Sequence, residues 1–190
     1  MQKLRLFIFV IILTPLIAGV FGMIHDQITY TISHEYYTKF KFIQFGLSQK
    51  GMPLQMPNRI GALIIGLKAT WWTGIPIGLI YGSILVFFKN NLLLYRVYFK
   101  TIALTFVITL LGSIVGYLYW KFYLQYTEVN WYLPDNLIDK NSFICVGSIH
   151  NFSYLGGVFG LMVGSLYLIL QKEKQKENKR DFKTKKNYKD

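Results

Sequence analysis

The sequence predicts an all-α, polytopic membrane protein of four transmembrane helices, and three observations carry that expectation. Hydrophobic residues make up 53% of the 190 positions and aromatic residues 17%. Four stretches, about 6–24, 62–88, 101–120 and 149–170, are long enough to cross a hydrocarbon core as helices. Apart from Lys68, whose ammonium is expected to reach the interface along its own aliphatic stem, these stretches carry no charge. Backbone groups in lipid must be satisfied internally, so unbroken apolar runs of this length read as helices.

The first run follows the basic start Lys3 and Arg5 and also reads as the hydrophobic region of a signal peptide. The apolar stretch continues to Ile24 and no Ala-x-Ala site follows it, so retention as a span is expected. Pro15 removes one backbone donor and predicts a bend. The second span carries Gly74, Gly78 and Gly82 at intervals of four, and Pro76 within it. The third carries Gly112 and Gly116, and the fourth Gly156, Gly160 and Gly164. Ala18 and Gly22 serve the first. Small residues at i and i+4 let helix backbones approach closely in lipid, which predicts a tight bundle. One of these grooves facing a second protomer, in a homodimer, is the other reading.

Lys and Arg counts set the expected orientation. Lys3, Arg5, Lys89, Arg96, Lys100 and nine tail residues would lie on one side, two-thirds of the 21 basic residues in the chain. N-in/C-in is the consistent topology, and a bacterial inner (plasma) membrane the expected location. Residues 1–170 then form the transmembrane domain and 171–190 a basic cytoplasmic tail, expected to be disordered and without a packed face. That tail carries nine basic and four acidic residues, +5 of the net charge of +12. Just inside a span it reads as a segment lying on anionic membrane lipids rather than nucleic acid. The single Cys145 rules out an intramolecular disulfide framework.

The two outer segments hold the chemistry. His25 and Asp26 end the first apolar run, His34 and Glu35 follow, and His150 and Asn151 start the last run. Ionisable groups at membrane depth are costly and usually functional. Four spans bring the end of the first and the start of the fourth to one face, so His25, Asp26, Glu35, His150 and Asn151 are the catalytic candidates. His25, Glu35 and His150 match the two-histidine, one-carboxylate ligand set of many zinc and non-haem iron sites. The expected cofactor is such a divalent metal. If His25 ended a helix and His150 began one, the helix dipoles would favour a cationic and a neutral imidazole respectively. A metal-free acid–base pair and a purely structural network are the alternatives, the latter with Ser148 and Asn151 capping the fourth span. Gln27, Trp71, Trp72 and Tyr154 are candidate pocket walls, although an interfacial aromatic belt accounts equally for the tryptophans.

The strings His25-Asp26-Gln27-Ile28-Thr29, Glu35-Tyr36-Tyr37-Thr38, Ala69-Thr70-Trp71-Trp72 and His150-Asn151-Phe152-Ser153-Tyr154 occur in that order. In them the chain resembles a bacterial family of small four-span membrane proteins that read HDQ-x-T, EYFT, ATWW and HN-x-SY. The resemblance implies no activity. It does imply that His25, Asp26, Gln27, Glu35, Trp72, His150, Asn151 and Tyr154 are the residues to test. The chain departs from some relatives at Lys39-Phe40-Lys41, where they carry Gly-His-Pro, so a ligand supplied there would be missing. The functional expectation is a membrane-embedded enzyme acting on a lipid or membrane-anchored substrate. A non-catalytic accessory protein that binds a partner and a small dimeric transporter are the alternatives.

Overall fold

The computed structural model describes residues 2–49, 56–88 and 91–187. Among them there is no strand. Five long helices, α1 (Gln2–Ile32), α2 (Asn58–Thr70), α3 (Gly74–Val86), α4 (Asn91–Phe122) and α5 (Lys140–Asn187), make four segments long and apolar enough to cross a membrane. The second segment is α2 and α3 joined by a 3₁₀ turn at Trp71–Thr73. Pro76 explains the break. Its nitrogen cannot bond back to the carbonyl of Trp72, and its ring crowds that carbonyl.

Every span is longer than its apolar run. α1 continues eight residues past Ile24, with the Thr29 hydroxyl bonding back to the His25 carbonyl at 3.1 Å. α5 starts at Lys140, nine residues before its apolar run. Its N-cap is Asp139, whose carboxylate accepts the Ser142 N–H at 2.9 Å. Ser148, expected as a cap, instead donates to the Gly116 carbonyl of α4 at 2.7 Å, and Asn151 lies inside the helix. The tail, expected to have no packed face, extends α5 as helix to Asn187. Lys, Glu and Gln are good helix formers, and extending an existing helix needs no new nucleus.

The bundle is two hairpins. α1 packs along α2 and α3, and α4 packs along α5. Glycines set both interfaces. A Cβ on Gly66 would meet the backbone of Gly22 and Met23, and one on Gly74 would meet Pro15 and the Thr14 carbonyl. A Cβ on Gly116 would stand 2.6 Å from the Ser148 carbonyl oxygen, and one on Gly156 3.0 Å from that of Ile108. The grooves are therefore filled within the chain.

Two clusters tie the hairpins together. Leu6, Tyr81, Leu85, Phe88, Tyr98 and Leu168 meet at one end, where the Tyr81 hydroxyl reaches Thr105 Oγ1 at 2.7 Å and the Gly160 carbonyl at 3.2 Å. The start of α1 and the Leu168 region of α5 thus share an end. At the opposite end Tyr30, Tyr36, Tyr37, Phe42, Ala62, Ile65, Phe143 and Val146 form a cap. The segment after α1 supplies three of them, Tyr36, Tyr37 and Phe42. It runs His34–Tyr36, a π-helical turn Tyr37–Lys41 and Phe42–Gln44, capped by the Ser33 hydroxyl on the Tyr36 N–H.

Candidate functional site

Between the two clusters the hairpins leave a cavity of about 820 Å³. His25 and Asp26 face it from α1 and His150 from α5. All three are buried, at 8%, 3% and 4% exposure. One ligand atom from each can be chosen so that all lie within 4.8 Å of one another. Asp26 Oδ1 is the centre of the set, 3.5 Å from His25 Nδ1 and 3.8 Å from His150 Nε2. The two imidazoles meet edge to face with centroids 4.8 Å apart.

These separations suit a bound cation. Zinc bonds of 2.0–2.1 Å at tetrahedral angles place neighbouring ligand atoms about 3.3 Å apart. The two carboxylate–imidazole distances are slightly wider than this and longer than hydrogen bonds, and the set as a whole spans up to 4.8 Å, so its ligand atoms would have to draw in around an ion. Asp26 Oδ2 is buried with no hydrogen-bond partner among the described residues. A buried carboxylate oxygen left without a donor is costly, and a metal ion satisfies it.

The surroundings fix the rings. Ser113 Oγ lies 3.3 Å from His25 Nε2, the kind of outer partner that holds a ligating imidazole's second nitrogen. Tyr36 stacks on His150 at 5.3 Å with planes 11° apart, and Thr29 Oγ1 approaches His150 Nε2 at 3.4 Å. The Tyr37 hydroxyl bonds Thr29 at 2.6 Å. Burial, the Asp26 carboxylate and neighbouring groups raise the Tyr37 pKa far above the usual tyrosine range, so its hydroxyl stays protonated.

Glu35, expected as the third ligand, is not in this cluster. It is a clasp on the outer loop. Its carboxylate accepts the N–H of Ile138 at 3.0 Å and of Asp139 at 2.7 Å, and it pairs with Lys39, which also donates to the Asn136 carbonyl. Asp26 stands where Glu35 was expected, because α1 stays helical and keeps Asp26 beside His25. Burial alone would raise the Glu35 pKa, but the Ile138 N–H, the Lys39 ammonium and the Asp139 N–H outweigh it and hold it below the usual value. His34 is exposed, with its ring edge-on to Tyr30.

Of the other candidates, Asn151, Trp72 and Tyr154 line the cavity. Gln27 does not; it trades hydrogen bonds with Arg59 at the start of α2. Trp71 is exposed away from it. The dipole argument does not apply, because His25 lies seven residues inside α1 and His150 ten inside α5, whereas the dipole acts within a terminal turn. Cys145 is buried outside the cavity lining, so it offers His150 no nucleophilic partner there.

Sequence reasoning missed Lys41. It is buried at 6% exposure on the cavity wall. No signal in the sequence marked it, because its burial follows from the helical turn that sets it one turn after buried Tyr37.

Residues of the four strings meet around this cluster and cavity: His25, Asp26 and Thr29, then Tyr36 and Tyr37, then Trp72, then His150 and Tyr154. The fold and site define a four-span helical bundle with a polar cluster at one end of an apolar cavity. Comparison with protein-family models, curated proteins and solved structures finds no match.

Proposed function

We propose that this chain is a multi-pass protein of a bacterial inner membrane, with both termini cytoplasmic, that acts as a membrane-embedded, metal-assisted enzyme on a lipid or membrane-anchored substrate. His25, Asp26 and His150 hold a divalent ion, zinc or iron, at the outward end of the cavity. The observation that carries this reading is the meeting of three buried ligand side chains, one with an unpartnered carboxylate oxygen, on the wall of a large apolar cavity. When bound, the ion supplies Lewis-acid activation of water or of a substrate oxygen. The protein's own share is to fix both rings, through Ser113 and Tyr36, and to exclude bulk water with the aromatic cap. Basic residues crowd the end that carries the termini, which supports the orientation. The same four strings support membership in the four-span family.

Partner binding by an accessory protein and transport by a homodimer are weaker readings, since the glycine grooves such contacts would use are occupied within the chain. The test is metal analysis of protein purified without chelator and reconstituted with zinc or iron. Stoichiometric metal in wild type, lost in His25→Ala, Asp26→Asn and His150→Ala while the helical circular-dichroism signal is retained, is the expected result. A wild type that takes up neither metal overturns the reading.

A further inference from the structure

Lysine is almost never fully buried without a charge partner. Lys41 comes close to that exception. Its ammonium stands 5.8, 5.7 and 5.4 Å from the ring centroids of Tyr36, Phe40 and Phe45. Among the described residues it makes no hydrogen bond and no ion pair, so three N–H donors are unused. Aromatic faces attract a desolvated cation, but they accept no conventional hydrogen bond. Burial lowers the Lys41 pKa, while the Asp26 carboxylate acts in the opposite direction. What this ammonium lacks is an anion with oxygen acceptors, and it lines the cavity that holds the His25–Asp26–His150 cluster.

The remainder of the cavity has a different chemistry. Ile77, Phe106 and Leu161 line its deep part. Trp72, Tyr154 and Val158 line it too, and each is about half exposed. Tyr154 and Val158 are one turn apart on α5, and Trp72 sits on the broken turn between α2 and α3. The cavity therefore opens sideways between these two spans, where a bundle in a bilayer meets acyl chains. A cavity with a polar end, an apolar body and a lateral mouth fits an amphiphile.

We propose that the cavity binds a lipid with a phosphate-type head and a long hydrocarbon chain, the head held by Lys41 beside His25, Asp26 and His150 and the chain lying along Ile77, Phe106 and Leu161. A phosphate offers several oxygens to the polar groups that share this cavity wall, and a lysine ammonium serves as a point-charge phosphate binder. The proposal names the substrate class of the site described above and rests on that cavity being its substrate site. It does not require the metal.

The test uses the full chain in maltoside micelles, which carry no phosphate, with farnesyl monophosphate, farnesol and inorganic phosphate as probes. Quenching of tryptophan emission reports binding, because Trp72 and Trp131 line the cavity. Wild type is expected to bind farnesyl monophosphate roughly tenfold or more tighter than either other probe. Lys41→Met is expected to reduce that affinity to the farnesol level and leave the metal content unchanged, and Lys41→Arg to retain most of it. A melting temperature for Lys41→Met at or above wild type shows that the variant folds. Equal affinity for farnesol and farnesyl monophosphate, an unaffected Lys41→Met, or inorganic phosphate binding as tightly as the lipid overturns the proposal. A metal-free wild type that still prefers the phosphorylated lipid refutes the metal reading and leaves this one standing. A metal-bound protein without that preference does the reverse.

Discussion

Replacing Glu35 by Ala separates two roles for this carboxylate, as metal ligand or as clasp of the outer loop. The geometry assigns the clasp: two backbone N–H groups, at 3.0 and 2.7 Å, and the Lys39 ammonium. Hydrogen bonds to a charged group contribute about 1.5–3 kcal/mol each. The Lys39 pair is partly exposed and adds little after solvent screening. Allowing for that exposure and for water replacing the lost acceptor, a net loss of about 2 kcal/mol is reasonable for the pair of bonds. That corresponds to about a 30-fold rise in local opening of the 136–139 segment. Amide hydrogen exchange at Ile138 and Asp139 measures it directly. The pH dependence has a definite sign. The Glu35 pKa is depressed in the fold, so the clasp is fully formed above the ordinary glutamate value of 4.5 and is lost as pH falls through the lower folded value. Wild-type exchange at these amides should therefore accelerate below pH 4.5, and the Glu35→Ala protein should show no such step. Metal content should be unchanged. Loss of metal in Glu35→Ala to the extent seen in His150→Ala refutes this reasoning and returns Glu35 to the ligand set.

The remaining predictions are these. Gly156→Ala forces a methyl to 3.0 Å from the Ile108 carbonyl oxygen and the Thr109 Cα, and should cost about 1–3 kcal/mol in a reversible unfolding assay. Gly157→Ala meets only Thr109 Oγ1, at 3.9 Å, and should be neutral or stabilising by up to about 1 kcal/mol, so equal effects at the two positions would refute the packing account. The Lys41 pKa is lowered in the fold, so wild type gains stability relative to Lys41→Met as pH rises toward the ordinary lysine value of 10.5; thermal melts between about pH 7 and that value check the sign. Because Cys145 is buried, cysteines introduced at Tyr132 and Lys176 can be labelled selectively, and an impermeant reagent on intact cells should reach the first and not the second. The opposite pattern inverts the proposed orientation.

Much of the fold is legible in the residues because lipid leaves few alternatives. Apolar runs, glycines four apart and Pro76 suffice to anticipate the spans, the close packing and the break between α2 and α3. Their ends are not legible in hydropathy, which reports where apolar surface stops and not where hydrogen bonding stops. The residues from His25 to Thr31 are polar enough to end a run, yet helix α1 continues through them because Thr29 and Thr31 bond back to carbonyls one turn earlier. That continuation moves Asp26 into the cluster. Glu35 lies beyond the end of α1, where the chain turns and aims it at the α5 N-terminus. Lys41 was invisible for another reason: in a segment of unknown conformation a lysine reads as exposed, and only a helical turn puts it on the face of buried Tyr37.

The placement of the cluster also has a mechanical consequence. Within each hairpin the backbones touch through glycines, whereas side chains join the hairpins, through Tyr81 and Tyr98 at one end, the aromatic cap at the other, and the Phe21–Phe106 stack and the Ser113–His25 contact between them. Between those ends lies the cavity, and across it His25 and Asp26 come from one hairpin and His150 from the other. An ion on these three side chains would tie the hairpins together at the polar end of the cavity, adding to the Ser113–His25 and Thr29–His150 contacts there. Binding to the folded state alone stabilises it by mass action, about 2.7 kcal/mol when the free ion is at 100 times its dissociation constant. Zinc or iron should therefore raise the melting temperature of wild type in proportion to the logarithm of its concentration. It should leave Gly156→Ala, weakened inside a hairpin, with the same increment as wild type, and give His150→Ala none. An equal rise in His150→Ala would place the ion elsewhere, because a site built from one hairpin alone does not need the far wall.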